Sequence, residues 1–113
     1  FTEAHQKNPM SQDMLNKVED MDNYVIKHFR IAFGNRIVKQ MKDFVSTFVE
    51  CGGTEVEAVD YYLARKVLRK FEQLNLAYIR DEIDDFIIYL DRMFGKENFL
   101  ECKEYLTRLK KLV

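Results

Sequence analysis

Gly52-Gly53-Thr54-Glu55-Val56-Glu57-Ala58-Val59-Asp60-Tyr61-Tyr62-Leu63-Ala64-Arg65-Lys66-Val67-Leu68-Arg69-Lys70-Phe71 is the stretch on which the fold turns. Two glycines stop whatever comes before them. Thr54 and Glu57 then stand three apart, the spacing at which each side chain satisfies the other's free backbone donor. Val56, Val59, Leu63, Val67 and Phe71 follow at steps of three and four, which is one face of a helix. The spacing predicts a helix from Thr54 to about Phe71, with Leu74-Asn75-Leu76 as its exit.

The same period extends in both directions. Upstream, Ile37, Met41, Phe44 and Phe48 form a stripe with Val38 and Val45 beside it, predicting a helix from Asn35 or Arg36 to the two glycines. Before that, Met14, Val18, Met21, Val25 and Phe29 share one face. Ser11 is the N-cap and Gly34 the stop, so this helix is expected to end near Phe33. Downstream, Ile79, Ile83, Phe86, Leu90 and Met93 mark a helix over about 77–94, closed by Gly95. Phe99, Cys102, Leu106 and Leu109 mark a last one over about 96–112. No stretch alternates with period two for long. The fold class is therefore all-α, a bundle of about five amphipathic helices. Residues 1–10 carry no period and hold the single proline, Pro9, and are read as a flexible tail or linker. Residues 11–113 form the helical domain.

Composition agrees. The chain has 113 residues, one domain's worth, with 47% hydrophobic residues, nine Phe and six Tyr. That is enough to build a core without staples. Four Gly and one Pro suit long elements rather than many turns. The net charge of -1 gives no global field for nucleic acid or an anionic membrane. No apolar run reaches the length of a membrane span, and no signal peptide is visible. Cys51 and Cys102 have neither metal nor disulfide-framework spacing, so free thiols in the cytoplasm are expected. The chain begins with Phe1 rather than Met and reads as a piece of a longer polypeptide.

Catalytic patterns are missing. Gly95-Lys96 is the one Gly-Lys pair, and Leu90 stands where a phosphate loop needs its first glycine. His5 and His28 read as surface residues. Asp81, Glu82, Asp84 and Asp85 read as a solvated face at a helix start, not as a metal site. Arg65, Lys66, Arg69 and Lys70 would lie on one side of a continuous helix. They form a basic contact surface for an acidic partner or, more weakly, for nucleic acid. The acids Glu55, Glu57 and Asp60 occupy the end from which a recognition helix usually reads bases, and oppose that use.

Phe33-Gly34-Asn35-Arg36-Ile37 is different. It puts an arginine into the first turn of a helix just after a glycine. The helix dipole disfavours a cation there by some tenths of a kcal/mol. A charge-assisted Arg–phosphate bond is worth about 1.5–3 kcal/mol, so a visiting phosphate would reverse the balance. Gly34 and Asn35 would support such a contact through their backbone.

Residues 33–45 resemble the start of the second lid helix in AAA+ ATPases of the McrB-like group, which opens on an aromatic-Gly-x-Arg-hydrophobic pattern. Residues 56–71 are similar to that group's next helix, with its Ala-x-Asp and Lys-hydrophobic-Leu run. Residues 101–112 are similar to its last. The resemblance spans about residues 14–112. It lacks the proline and following glycine that the group often carries near Leu68-Arg69, so the third helix is expected to run on uninterrupted. The resemblance implies a C-terminal helical lid whose sensor 2 arginine, here Arg36, reaches the phosphates of ATP or GTP. The nucleotide, with Mg²⁺, would be held by an α/β core domain of the same chain, within a ring of subunits. The lid itself would bind no cofactor alone and catalyse nothing. The other reading of the same residues is a free-standing helical protein–protein interaction module.

Overall fold

The computed structural model describes residues 9–112, and the expectation of a tail over residues 1–8, His5 included, lies outside them. Five α-helices and one 3₁₀ segment make up the described residues, with no strand among them. They are α1 (Gln12–Phe29), α2 (Asn35–Glu50), α3 (Glu55–Lys66), the 3₁₀ segment Leu68–Gln73, α4 (Leu76–Phe94) and α5 (Leu100–Lys110).

Helix α3 lies at the centre, packed against α2, α5 and the 3₁₀ segment. Its capping box is formed: the Glu57 N–H donates to Thr54 Oγ1 at 3.2 Å, and the Thr54 N–H donates to Glu57 Oε1 at 3.1 Å. Ala58, Val59, Asp60, Tyr62, Leu63 and Ala64 are all buried, because neighbours cover more than one side of the helix. The helix does not run on to Phe71. It ends at Lys66, and the chain tightens into the 3₁₀ segment. Leu68 and Phe71 are both buried there, and 3₁₀ winding stacks residues three apart on one side.

The α2–α3 joint is a Schellman turn. Gly52, at φ +101°, donates its N–H to the Val49 carbonyl, and Gly53 donates to that of Phe48. A Cβ on Gly53 would come within 2.0 Å of the Phe48 ring. In α2 the fully buried positions are Met41, Val45 and Ser46. Ile37, Phe44 and Phe48 are only half-buried, so the core-facing stripe is rotated from the expected one. Phe44 lies near Phe48, Tyr61 and Tyr62, each ring pair at 5.7 Å.

Helix α1 runs antiparallel to α4. Near its start, Lys17 lies over the Phe94 ring; near its end, His28 Nδ1 is 3.2 Å from Glu82 Oε2. All five residues of its expected stripe are buried. Between the helices Tyr24 stacks on Phe86 and Tyr89, and Phe29 meets Phe71 and Phe86. Ser11 caps α1 by accepting the Met14 N–H, while its own N–H and hydroxyl donate to Glu55 on α3 at 2.6 and 2.8 Å. Met10, inside the stretch read as tail, is buried in the core.

Two helix ends differ from expectation. Helix α1 stops at Phe29, not near Phe33, because Arg30 adopts a left-handed conformation (φ 60°) and the chain turns back. Phe33 is then buried by the loop, and its N–H donates to Asp22 Oδ1 at 2.9 Å. Helix α5 starts at Leu100, not Lys96, because Phe99 is left-handed and stacks on Phe94 at 3.8 Å. Helices α4 and α5 form an antiparallel pair. Lys103 is bound to Asp91 at 2.6 Å, and Lys110 pairs with Asp84.

Candidate functional site

Arg36 stands in the first turn of α2, and it is exposed. Gly34 forms the N-cap at φ 82°, ψ 154°, a region essentially reserved for glycine. No side chain caps this helix, and no acidic residue lies in its first turn. The first-turn N–H groups of an α-helix have no partner within it. Here they are left facing outward beside a guanidinium. Arg36 has no hydrogen bond or ion pair among the described residues. The local positive field at this corner favours an anion, and the Asp22 carboxylate answers part of it at the Phe33 N–H just before the N-cap. Gly34 and Asn35 are exposed beside Arg36.

The four residues of the basic run do not share one surface, because the helix that was to carry them ends at Lys66. Arg65 is turned to the α5 side: it stacks over the Tyr61 ring at 3.5 Å and pairs with Glu101 at 3.2 Å. Lys70 is turned to the α1–α2 loop, with Nζ 3.5 Å from the Ala32 carbonyl. Lys66 and Arg69 are exposed. A continuous cationic strip for a phosphate backbone is therefore not formed.

The carboxylates at the start of α4 are dispersed. Glu82 faces His28 and Asp84 faces Lys110. Among the described residues, no group of three or more His, Cys, Asp or Glu is placed to hold a metal ion. Nor does any described helix have the length and apolarity to cross a membrane. Cys51 is exposed, Cys102 is buried, and the two are not bonded to each other.

Two features escaped sequence reasoning. The first is a cleft of ≈ 980 Å³ between α1 and α2, with Leu15, Val18 and Val38 on its walls and Asn35 at one end. Periodicity assigns faces to helices but does not say which consecutive helices fail to meet, and α1 and α2 barely touch. The second is Asp60, a buried carboxylate that accepts the N–H groups of Glu101 at 3.0 Å and Cys102 at 2.8 Å. The Cys102 thiol is buried, as its place on the apolar stripe of the last helix predicts. Burial, the Asp60 carboxylate and a hydrogen bond to Asp60 push it well above its ordinary value, which makes it inert rather than nucleophilic.

No protein-family model, no curated protein and no solved structure matches this chain in sequence or fold comparisons.

Proposed function

We propose that this domain is the C-terminal helical lid of a AAA+ ATPase, and that Arg36 is its sensor 2 arginine. One observation supports the reading: an exposed guanidinium, without a hydrogen-bond or ion-pair partner among the described residues, at a helix start that none of their side chains caps. In the intact polypeptide the α/β core holds ATP or GTP with Mg²⁺, and Arg36 closes onto the phosphates from the lid side. Hydrolysis and phosphate release remove that contact. The bundle then moves as a rigid body relative to the core, because its helices are locked together by a shared aromatic core.

The test is Arg36→Ala in the polypeptide that carries both core and lid. Loss of one charge-assisted contact worth about 1.5–3 kcal/mol lowers nucleotide turnover roughly ten- to hundredfold. The same substitution in this domain alone leaves its thermal stability unchanged or slightly raised, since the side chain is exposed, makes no hydrogen bond or ion pair among the described residues, and is a cation at a helix start. Unaltered turnover in the intact protein would end the proposal. The second reading, a free-standing helical interaction module, draws support from the cleft between α1 and α2.

A further inference from the structure

The α1 wall of the α1–α2 cleft is acidic, and the α2 wall carries two lysines and one aspartate, Asp43. Glu19 and Asp22 line it from α1, Lys39 and Lys42 from α2. Glu19, Lys39 and Lys42 have no hydrogen-bond or ion-pair partner among the described residues. Asp22 serves the Phe33 N–H, and Asp43, also on the α2 wall, has a contact of its own. Between the walls lie Leu15 and Val38, half-buried, and Val18, buried.

The cleft, ≈ 980 Å³, is an open groove rather than a closed cavity, so an elongated element can lie along it. We propose that this cleft docks an amphipathic helix of a partner protein. Its apolar ridge sits on Leu15, Val18 and Val38, its basic flank faces Glu19 and Asp22, and its acidic flank faces Lys39 and Lys42. Recognition is of the helix-in-groove kind, with anchors at steps of three and four. The charge split selects against helices whose flanks carry a single sign, because one flank then meets a wall of its own charge. Arg36 is not part of the cleft lining, although the adjacent Asn35 is.

The test uses the 113-residue chain and three hydrocarbon-stapled helical peptides of about four turns. All share one leucine ridge. One has a basic and an acidic flank, one has two basic flanks, and one has two acidic flanks. Fluorescence anisotropy is expected to show the mixed peptide binding roughly five- to tenfold tighter than either single-sign peptide, from two or more ion pairs of about 0.5 kcal/mol each. Lys39→Glu with Lys42→Glu makes both walls acidic, and the peptide with two basic flanks becomes the tightest. Lys39 is exposed and Lys42 half-buried on α2, and circular dichroism checks that the fold persists. Val38→Asp weakens all three peptides at least tenfold. The proposal is overturned if the mixed peptide binds no better than about 1 mM, if the three bind alike, or if the double charge reversal leaves the preference unmoved. Sedimentation that shows self-association through Lys39 and Lys42 would assign the cleft to a second copy, and also overturns it.

Discussion

Asp60 sits on α3 but serves α5. The N-cap position of α5 is Phe99, whose ring is committed to Phe94 and which offers no side-chain acceptor. The orphan N–H groups of Glu101 and Cys102 are satisfied by the Asp60 carboxylate instead. A negative charge there also suits the helix dipole. Asp60→Ala leaves two N–H groups without their acceptor, and hydrogen bonds to charged groups are worth about 1.5–3 kcal/mol each. The expected loss is about 3 kcal/mol in urea unfolding, with Asp60→Asn losing about half of that because an amide oxygen still accepts. A loss below about 0.5 kcal/mol for the alanine variant would show that the cap contributes nothing. Nothing in the sequence marked this role. Asp60 reads as a polar residue on a helix, and only the docking of α3 against α5 brings it to a helix end 41 residues away.

At the scale of elements, periodicity was a good guide wherever one face of a helix meets one neighbour. The stripe of α1 is legible residue for residue because α4 covers a single face of it. Central α3 is wrapped on several sides, so its stripe understates its burial. Helix ends were harder to read. The switch at Val67 involves no Gly or Pro, and the local sequence continues a helical pattern; burial of Leu68 and Phe71 together makes the tighter winding worthwhile. The end of α1 was misplaced for a similar reason. Gly34 is a sound stop signal, but it opens α2 rather than closing α1. The residue that closes α1 is Arg30, held at φ 60°, ψ 31° with its N–H on the Ile26 carbonyl. A left-handed conformation costs a side-chain-bearing residue about 1 kcal/mol that glycine escapes. Arg30→Gly should therefore raise stability by about 0.5–1 kcal/mol despite the added backbone freedom of the unfolded chain, and a β-branched Arg30→Val should lower it. Differential scanning calorimetry on the two variants checks the opposite signs; a fall in melting temperature for Arg30→Gly would show that this cap is not strained. The position of Arg36 was legible because it depends on one local signal, a glycine followed by a helix start. The basic run was expected on one continuous helix, and the end of α3 at Lys66 removes that premise.

At the scale of the whole molecule, the core holds several ionisable groups in their protonated forms. Burial pushes the Tyr89 phenol up, and its hydrogen bond to Asp20 adds to this. Burial also raises Tyr24 and Tyr62, with Asp85 and Glu82 adding to the shift at Tyr24. The Cys102 thiol is raised well above its ordinary 9.0. In each case the unfolded chain gives up its proton at the ordinary value while the folded chain keeps it. The stability these groups contribute is fully present below those ordinary values and is lost as pH rises past them. The onset should come near pH 9, set by the thiol, and steepen near pH 10, set by the phenols. The slope is at most about 1.4 kcal/mol per pH unit for each group. Urea midpoints measured from about pH 7 to about pH 11 test this. Cys102→Ala should remove the earliest part of the decline, and Tyr89→Phe should make the later part shallower, each at some cost in stability at neutral pH. Equal midpoints at about pH 8 and about pH 10.5 would mean that these groups are not held neutral by the fold. The aromatic cluster that joins α1, α4 and the 3₁₀ segment would then be looser than its ring spacings imply, and too loose to carry the rigid-body motion proposed for this domain.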